Sequence, residues 1–255
     1  MERRAFLRHF VTAAVLCPVC SSLARAEDHA APHWGYEGHG GPEEWGNLSP
    51  EYAVCGKGKE QSPVDLQQPI AAHLAPPAVD WQPSPLEVIN NGHTIQVNCA
   101  PGSSMVLDGV TYQLLQYHFH HPSEHRIGGQ SFDMEVHFVH RSAEGGLAVL
   151  GVMISKGEAN SAIETIWRNL PAKAGEKVVA DIKLQPSVML PEDSTTYRYA
   201  GSLTTPPCSE IVSWVVYRQG ITASEEQIAQ FAAMFPNNAR PPQPLNRRKL
   251  LMDLF

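Results

Sequence analysis

Imidazoles recur at alternate positions in two neighbouring stretches of the chain, Gln116-Tyr117-His118-Phe119-His120 and Phe132-Asp133-Met134-Glu135-Val136-His137-Phe138-Val139-His140. In an extended strand, residues i and i+2 share a face. Gln116, His118 and His120 therefore point one way, while Tyr117 and Phe119 enter the opposite layer. The same parity aligns Glu135, His137 and Val139 against Met134, Val136 and Phe138. If the two strands are neighbours, three neutral nitrogen ligands meet one cation. Three protein ligands with an open fourth position is the arrangement of a catalytic zinc, not a structural one. Gln116 and Glu135 each stand two residues before a histidine on its own face, placed to accept the other ring N–H and fix the tautomer.

Weighed by itself, the H-x-H triplet says little. With 12 His in 255 residues, roughly 0.6 such triplets arise by chance. His121, His125 and His140 read as hydrogen-bonded core or surface histidines. His118-x-His120 followed by Glu124 also matches the first half of a cupin metal motif. Tyr112 stands where that motif needs Gly, however, and no second half follows. A cupin-type oxygenase or isomerase is thus one alternative, and an exported metal-binding module without activity is another.

The elements that must carry these residues are mostly strands. Short apolar or alternating runs at 86–89, 93–98, 114–120, 132–140, 147–154 and 211–217 are separated by turn residues, and Asn90-Asn91-Gly92 predicts a hairpin turn between the first two. Two helices stand out by period. One spans 161–170 and opens with a capping box Ser161-x-x-Glu164; the other spans 224–235 and opens with Ser224-x-x-Gln227. Residues 27–60, rich in Gly, Pro and His, read as an irregular arm anchored by Trp34, Tyr36 and Trp45. The fold class expected is mainly β, with residues 27–255 forming one domain.

Residues 1–26 read as a signal peptide: Arg3, Arg4 and Arg8, an apolar stretch too short to span a bilayer, then Ala24-Arg25-Ala26. The run Glu2-Arg3-Arg4-Ala5-Phe6-Leu7-Arg8 resembles a twin-arginine export signal, although a general secretory signal is basic too. A periplasmic or secreted location follows, with no membrane insertion. Removing these residues takes away four Arg and one Glu, so 15 basic and 25 acidic residues remain and the charge moves from -7 to -10. That balance excludes a nucleic-acid partner. In an oxidising compartment Cys55, Cys99 and Cys208 can make one bridge. Cys99 continues the apolar alternation of Ile95 and Val97, so Cys55 is paired with Cys208, whose contexts are turn-like. The new N-terminus Glu27-Asp28-His29 matches a square-planar Cu(II) or Ni(II) site.

Further motifs follow in order along the chain: Gln61-Ser62-Pro63-Val64-Asp65, Asn90-Asn91-Gly92-His93, Ser123-Glu124-His125, Gly201-Ser202-Leu203-Thr204-Thr205-Pro206-Pro207, and Arg240-Pro241-Pro242-Gln243-Pro244-Leu245-Asn246. Together with the histidines they resemble the alpha class of carbonic anhydrases in its exported bacterial form, over residues 33 to 250. The resemblance implies a largely antiparallel, twisted sheet of about ten strands with short surface helices. It implies one zinc per chain on His118, His120 and His137, supported by Gln116, Glu135 and Asn238, and reversible hydration of CO2 to bicarbonate by zinc-bound hydroxide. Thr204 would accept from that hydroxide and donate to the Glu124 carboxylate, which can only accept, with Thr205 beside it. Val139, Val149, Leu203, Val212 and Trp214 match the family's apolar wall for CO2. His93 matches its proton shuttle, with Tyr36 and Gln96 as polar partners, although strict strand parity puts His93 with the buried Ile95 and Val97. The resemblance further implies cis bonds at Ser62-Pro63 and Pro206-Pro207, and a homodimer.

Overall fold

Alternating burial built on Val, Ile and aromatic residues organises the centre of the molecule. The computed structural model describes residues 32–253; the expected signal peptide, its cleavage site and the Glu27-Asp28-His29 segment lie outside these residues. Residues 33–253 belong to one compact unit.

Among the described residues the strands are β1 (Asp65–Leu66), β2 (Ile70–Ala72), β3 (Ala78–Asp80), β4 (Ser84–Asn90), β5 (Ile95–Asn98), β6 (Ser104–Leu107), β7 (Val110–His120) and β8 (Arg126–Ile127). They continue as β9 (Met134–Ser142), β10 (Leu147–Lys156), β11 (Lys177–Leu184), β12 (Thr196–Gly201), β13 (Val212–Tyr217), β14 (Ile221–Ala223) and β15 (Leu251–Asp253). Thirteen of them form one mixed sheet. Ten run side by side in the order β11-β4-β5-β7-β9-β10-β13-β12-β15-β2, while β14 joins β10 and β3 joins β6, which lies on β7. Most pairings are antiparallel; β10 runs parallel to β13 and β14, and β15 to β2. A single large sheet of this order overturns the cupin alternative, which requires a double-sheet jelly roll.

The two faces of β9 bury different chemistry. Met134, Val136 and Phe138 enter the main apolar core with Tyr117 and Phe119 of β7, Leu150 of β10 and Phe231. Each such side chain contributes about 1.5–3 kcal/mol by burial. Val139, from the opposite face, packs against Val149, Val212 and Trp214 in a second cluster.

Two longer helices cover the main core, α3 (Ser161–Trp167) and α4 (Glu225–Met234). The expected Ser224–Gln227 capping box is present on α4. On α3 the cap is Asn160 rather than Ser161. The Asn160 side-chain oxygen accepts from the N–H groups of Ala162 and Ile163 at 3.0 and 3.2 Å, which puts Ser161 inside the first turn. The arm is less irregular than its composition suggests, because it folds into α1 (Trp45–Leu48), α2 (Ala53–Lys57) and single 3-10 turns. Trp34, Tyr36 and Trp45 meet there edge to face at 5.3–5.9 Å. Ser62-Pro63, His121-Pro122 and Pro206-Pro207 are cis. Cys55 and Cys208 are bridged, with Cα atoms 5.0 Å apart, and Cys99 is free. No helix of the described residues is long and apolar enough to cross a membrane.

Candidate metal centre

Neighbouring strands β7 and β9 set His118 directly opposite His137, with His120 two residues along. The ring centroids lie 5.4 Å (His118–His137), 5.0 Å (His118–His120) and 4.6 Å (His120–His137) apart. One ring nitrogen from each falls within 4.8 Å of the others.

Hydrogen bonds decide which nitrogen is left over. His118 Nδ1 meets Gln116 Oε1 at 2.9 Å, His120 Nδ1 meets the backbone oxygen of Asn238 at 2.8 Å, and His137 Nε2 meets Glu135 Oε1 at 2.8 Å. The inward atoms are therefore His118 Nε2, His120 Nε2 and His137 Nδ1. His120 Nε2 is buried without a partner, a costly arrangement unless a Lewis acid takes its lone pair. This donor set suits a divalent transition metal. Asn238 supports His120 through its backbone, while its side chain braces His121 N–H and the carbonyls of His93 and Phe119.

Burial and the neighbouring imidazoles push the His118 pKa well down, and burial lowers His120, so both rings are neutral donors. For His137 the Glu135 carboxylate overbalances burial and raises the pKa. Glu135 is itself held well below the usual carboxylate range despite burial, chiefly by His125 and His137. It also accepts the backbone N–H groups of Glu124 and His125 at 2.9 and 2.8 Å.

Glu124 is buried beside the ligands. Its Oε1 accepts from Arg240 N–H at 2.9 Å, and its Oε2 lies 3.5 Å from His120 Nε2 and 3.8 Å from His137 Nδ1. Oε2 has no hydrogen-bond partner, so the expected Thr204 hydroxyl bond is not made to that oxygen. Thr204 is buried on the loop after β12. Two backbone bonds close this loop, Leu203 N–H to Ser209 O and Cys208 N–H to Thr205 O.

A cavity of about 150 Å3 opens above the histidines, lined by His118, His120, Gln116, Gln96, Thr205, Tyr36, Trp34 and His93. Strand parity does not bind His93, because β5 begins only at Ile95 and the Asn91 side chain accepts the N–H groups of His93 and Thr94. Gly92, at φ +87°, supplies the turn. His93 lies flat on Trp34, centroids 3.8 Å apart and planes within 7°. Partial burial and nearby His33 lower its pKa. Val139, Val149, Leu203, Val212 and Trp214 all belong to the second apolar cluster, and the Trp214 ring stands 4.8 Å from that of His137.

The three histidines expected to be structural make other contacts. His140 is bonded to Trp81 Nε1 and Ala148 O, His121 to Pro236 O, and His125 to Glu135 and Tyr199. Sequence reading assigned no role to Tyr199, Ser62, Arg240 or the Trp34 stack, because the partners lie far apart in the chain. Arg240 is buried with its guanidinium bonded to Gln61 Oε1, Ser62 O and Cys55 O.

Known proteins share this architecture. Residues 40–253 match the family described as eukaryotic-type carbonic anhydrase. A carbonic anhydrase of Nostoc sp. is 47% identical over 91% of this chain and 89% of its own, and one of Pectobacterium carotovorum is 43% identical over 93% and 97%. The solved structure of alpha-carbonic anhydrase from Thermovibrio ammonificans, in complex with the inhibitor sulfanilamide, superposes with a TM-score of 0.85 at 44% identity, covering 87% of this chain and 100% of that one. A match over nearly the whole described body, together with relatives 43–47% identical over nine-tenths of the chain, shows that the chain belongs to the alpha-class carbonic anhydrase family.

Proposed function

We propose that this protein catalyses the reversible hydration of CO2 to bicarbonate and a proton, using one zinc ion held by His118 Nε2, His120 Nε2 and His137 Nδ1. Bound zinc supplies the Lewis acidity that, as known for carbonic anhydrases, ionises water near neutral pH. The observation that carries the proposal is the nitrogen accounting: three converging ring nitrogens within 4.8 Å, with the other three committed to Gln116, Asn238 and Glu135.

The remaining roles belong to the chain's own groups. Glu124 Oε2, which has no hydrogen-bond partner in this structure, is the acceptor assigned to the Thr204 hydroxyl. A hydroxyl that has given its proton to a carboxylate can only accept, so Thr204 orients the attacking oxygen's lone pair toward carbon. Thr205 borders the same space. Val139, Val149, Leu203, Val212 and Trp214 hold an apolar, uncharged substrate without counter-charges. Hydration forms one O–C bond and releases one proton. His93, half-buried in the same cavity with its pKa below the ordinary histidine value, carries that proton to solvent, since imidazole titrates in the range a relay needs. Tyr36 and Gln96 are the polar partners of the water path.

The Cys55–Cys208 bridge fits an oxidising compartment, and with the leader expected at residues 1–26 it supports a periplasmic or secreted location for the mature enzyme. The deciding experiment is stopped-flow CO2 hydration by zinc-loaded protein, with and without a sulfonamide, alongside metal analysis. Rapid, sulfonamide-sensitive hydration at one zinc per chain is expected. One tightly bound zinc without hydration would make the protein a metal-binding module instead.

A further inference from the structure

Two short basic runs meet away from the candidate metal centre. Lys59 and Glu60, from the segment after α2, line a cavity of about 560 Å3 together with Asn246, Arg247 and Arg248, from the turn before β15. It shares no lining residue with the cavity above the histidines. Lys57 and Lys249 flank these residues in sequence, so five of the chain's 19 Lys and Arg fall within 57–59 and 247–249. The chain as a whole is acidic, with 26 Asp and Glu.

The wall of this cavity is fixed, and its charges lack acidic partners. Asn246 makes the turn at φ +55°, and its Nδ2 donates to Lys59 O at 2.8 Å, which ties the two runs together. The half-buried Arg248 guanidinium donates to the carbonyls of Leu245, Ala200, Gln61 and Pro244 at 2.8–3.0 Å. All four acceptors are neutral, so its positive charge is left standing. Lys57, Lys59, Arg247 and Lys249 are exposed, and among the described residues none of their side chains makes an ion pair or hydrogen bond. Glu60 and Glu210 are the acids that act on Arg248. Glu210 Oε1 is already taken, by Glu60 N–H at 2.6 Å and Gln61 Nε2 at 2.9 Å.

Like charges gathered without partners repel one another, and an anion that enters relieves the repulsion. Arg247 offers an uncommitted planar fork and Lys59 an uncommitted ammonium, the two ways in which side chains hold phosphate oxygens. The volume is that of a small-molecule site. Screening favours a small ligand as well. At physiological salt, charges beyond about 8 Å are largely screened. A compact anion therefore responds to the local cations, whereas an extended anionic surface also meets the acidic remainder of the protein.

We infer that this cavity binds a small, multivalent, phosphate-bearing anion, with Arg247 and Lys59 as its contacts and Arg248 as a fixed positive wall. The inference goes beyond CO2 hydration and does not depend on it.

The test is calorimetric titration of pyrophosphate into zinc-loaded protein at fixed ionic strength, comparing wild type with Lys59→Gln, Arg247→Gln and the double variant. One pyrophosphate per chain is expected. Each single substitution should weaken it about 10-fold, the effect of losing one charge-assisted hydrogen bond. Withdrawal of zinc by pyrophosphate would be the same in all four proteins, so the difference between them reports this cavity. In wild type, bound pyrophosphate should also slow acetylation of Lys59 relative to the exposed Lys173, a readout that needs no variant. Binding unchanged in the double variant, or acetylation of Lys59 unslowed, overturns the inference. Capture on phosphatidylglycerol vesicles that requires Lys59 and Arg247, without pyrophosphate binding, overturns it too and assigns the patch to a lipid surface.

Discussion

Strand β9 carries a histidine on each face, and the two are equally hidden from solvent: His137 is 1% exposed and His140 0%. His140, on the apolar side, accepts from Trp81 Nε1 at 3.2 Å through Nε2 and meets Ala148 O at 3.3 Å through Nδ1. His137, on the other side, gives Nε2 to Glu135 and keeps Nδ1 among the inward-facing nitrogens. Burial therefore does not mark a metal ligand. What sets the candidate ligand apart is a buried imidazole with one nitrogen tied down and the other turned toward two more ring nitrogens.

Breaking the left-over side should produce the largest effect. Structural zinc binding is worth about 10–16 kcal/mol, so losing one ligand of three should weaken zinc on the order of 10^3-fold. His137→Ala is expected to lose zinc by metal analysis and hydration by stopped flow, while His140→Phe retains both. Zinc kept by His137→Ala would erase the distinction. Next comes the bridge beneath the Thr205 loop: reducing Cys55–Cys208 should cost about 2–5 kcal/mol in a urea titration and also lower turnover. Unchanged turnover in a folded, reduced sample would show that the loop keeps its place without the tether.

On the satisfied side, His140→Phe strands the Trp81 N–H and should cost about 1–3 kcal/mol at pH 7 by chemical denaturation. Acid then sharpens the contrast. Burial holds the folded-state pKa of His140 down to about 4 against 6.5, so the unfolded chain takes up the proton first. The stability this neutral ring confers above pH 6.5 is lost as pH falls toward 4, on the order of 3 kcal/mol. Phenylalanine has no such loss. The gap between wild type and His140→Phe should therefore narrow between pH 6.5 and 4; a constant gap would mean that His140 does not titrate in this way.

Parity made much of the centre legible. Gln116 with His118, and Glu135 with His137, are local pairs two residues apart, and their strands obey a period of two. Ser224 and Gln227 announced α4 for the same local reason. Parity misled at His93, where the chain leaves the ladder, and the first turn of α3 belonged to Asn160, one residue earlier than Ser161. Strand β11 escaped notice because Asp181, Lys177 and Lys183 interrupt its apolar run and its pairing with β4 slips between Ala180 and Lys183. Arg240, Tyr199 and Ser62 were illegible for another reason. Their partners sit 74 to 185 residues away, and no local pattern records such a meeting.

Position in the sheet also orders events in time. Strand β2 touches the sheet only through β15, with Ile70 beside Leu251, and β15 in turn lies on β12. At about 5–20 residues per second, the ribosome makes residue 251 roughly 10–40 s after residue 72. Ile70 to Ala72 must wait that long for a neighbour, so this edge of the sheet closes only after residues 251 to 253 have been made.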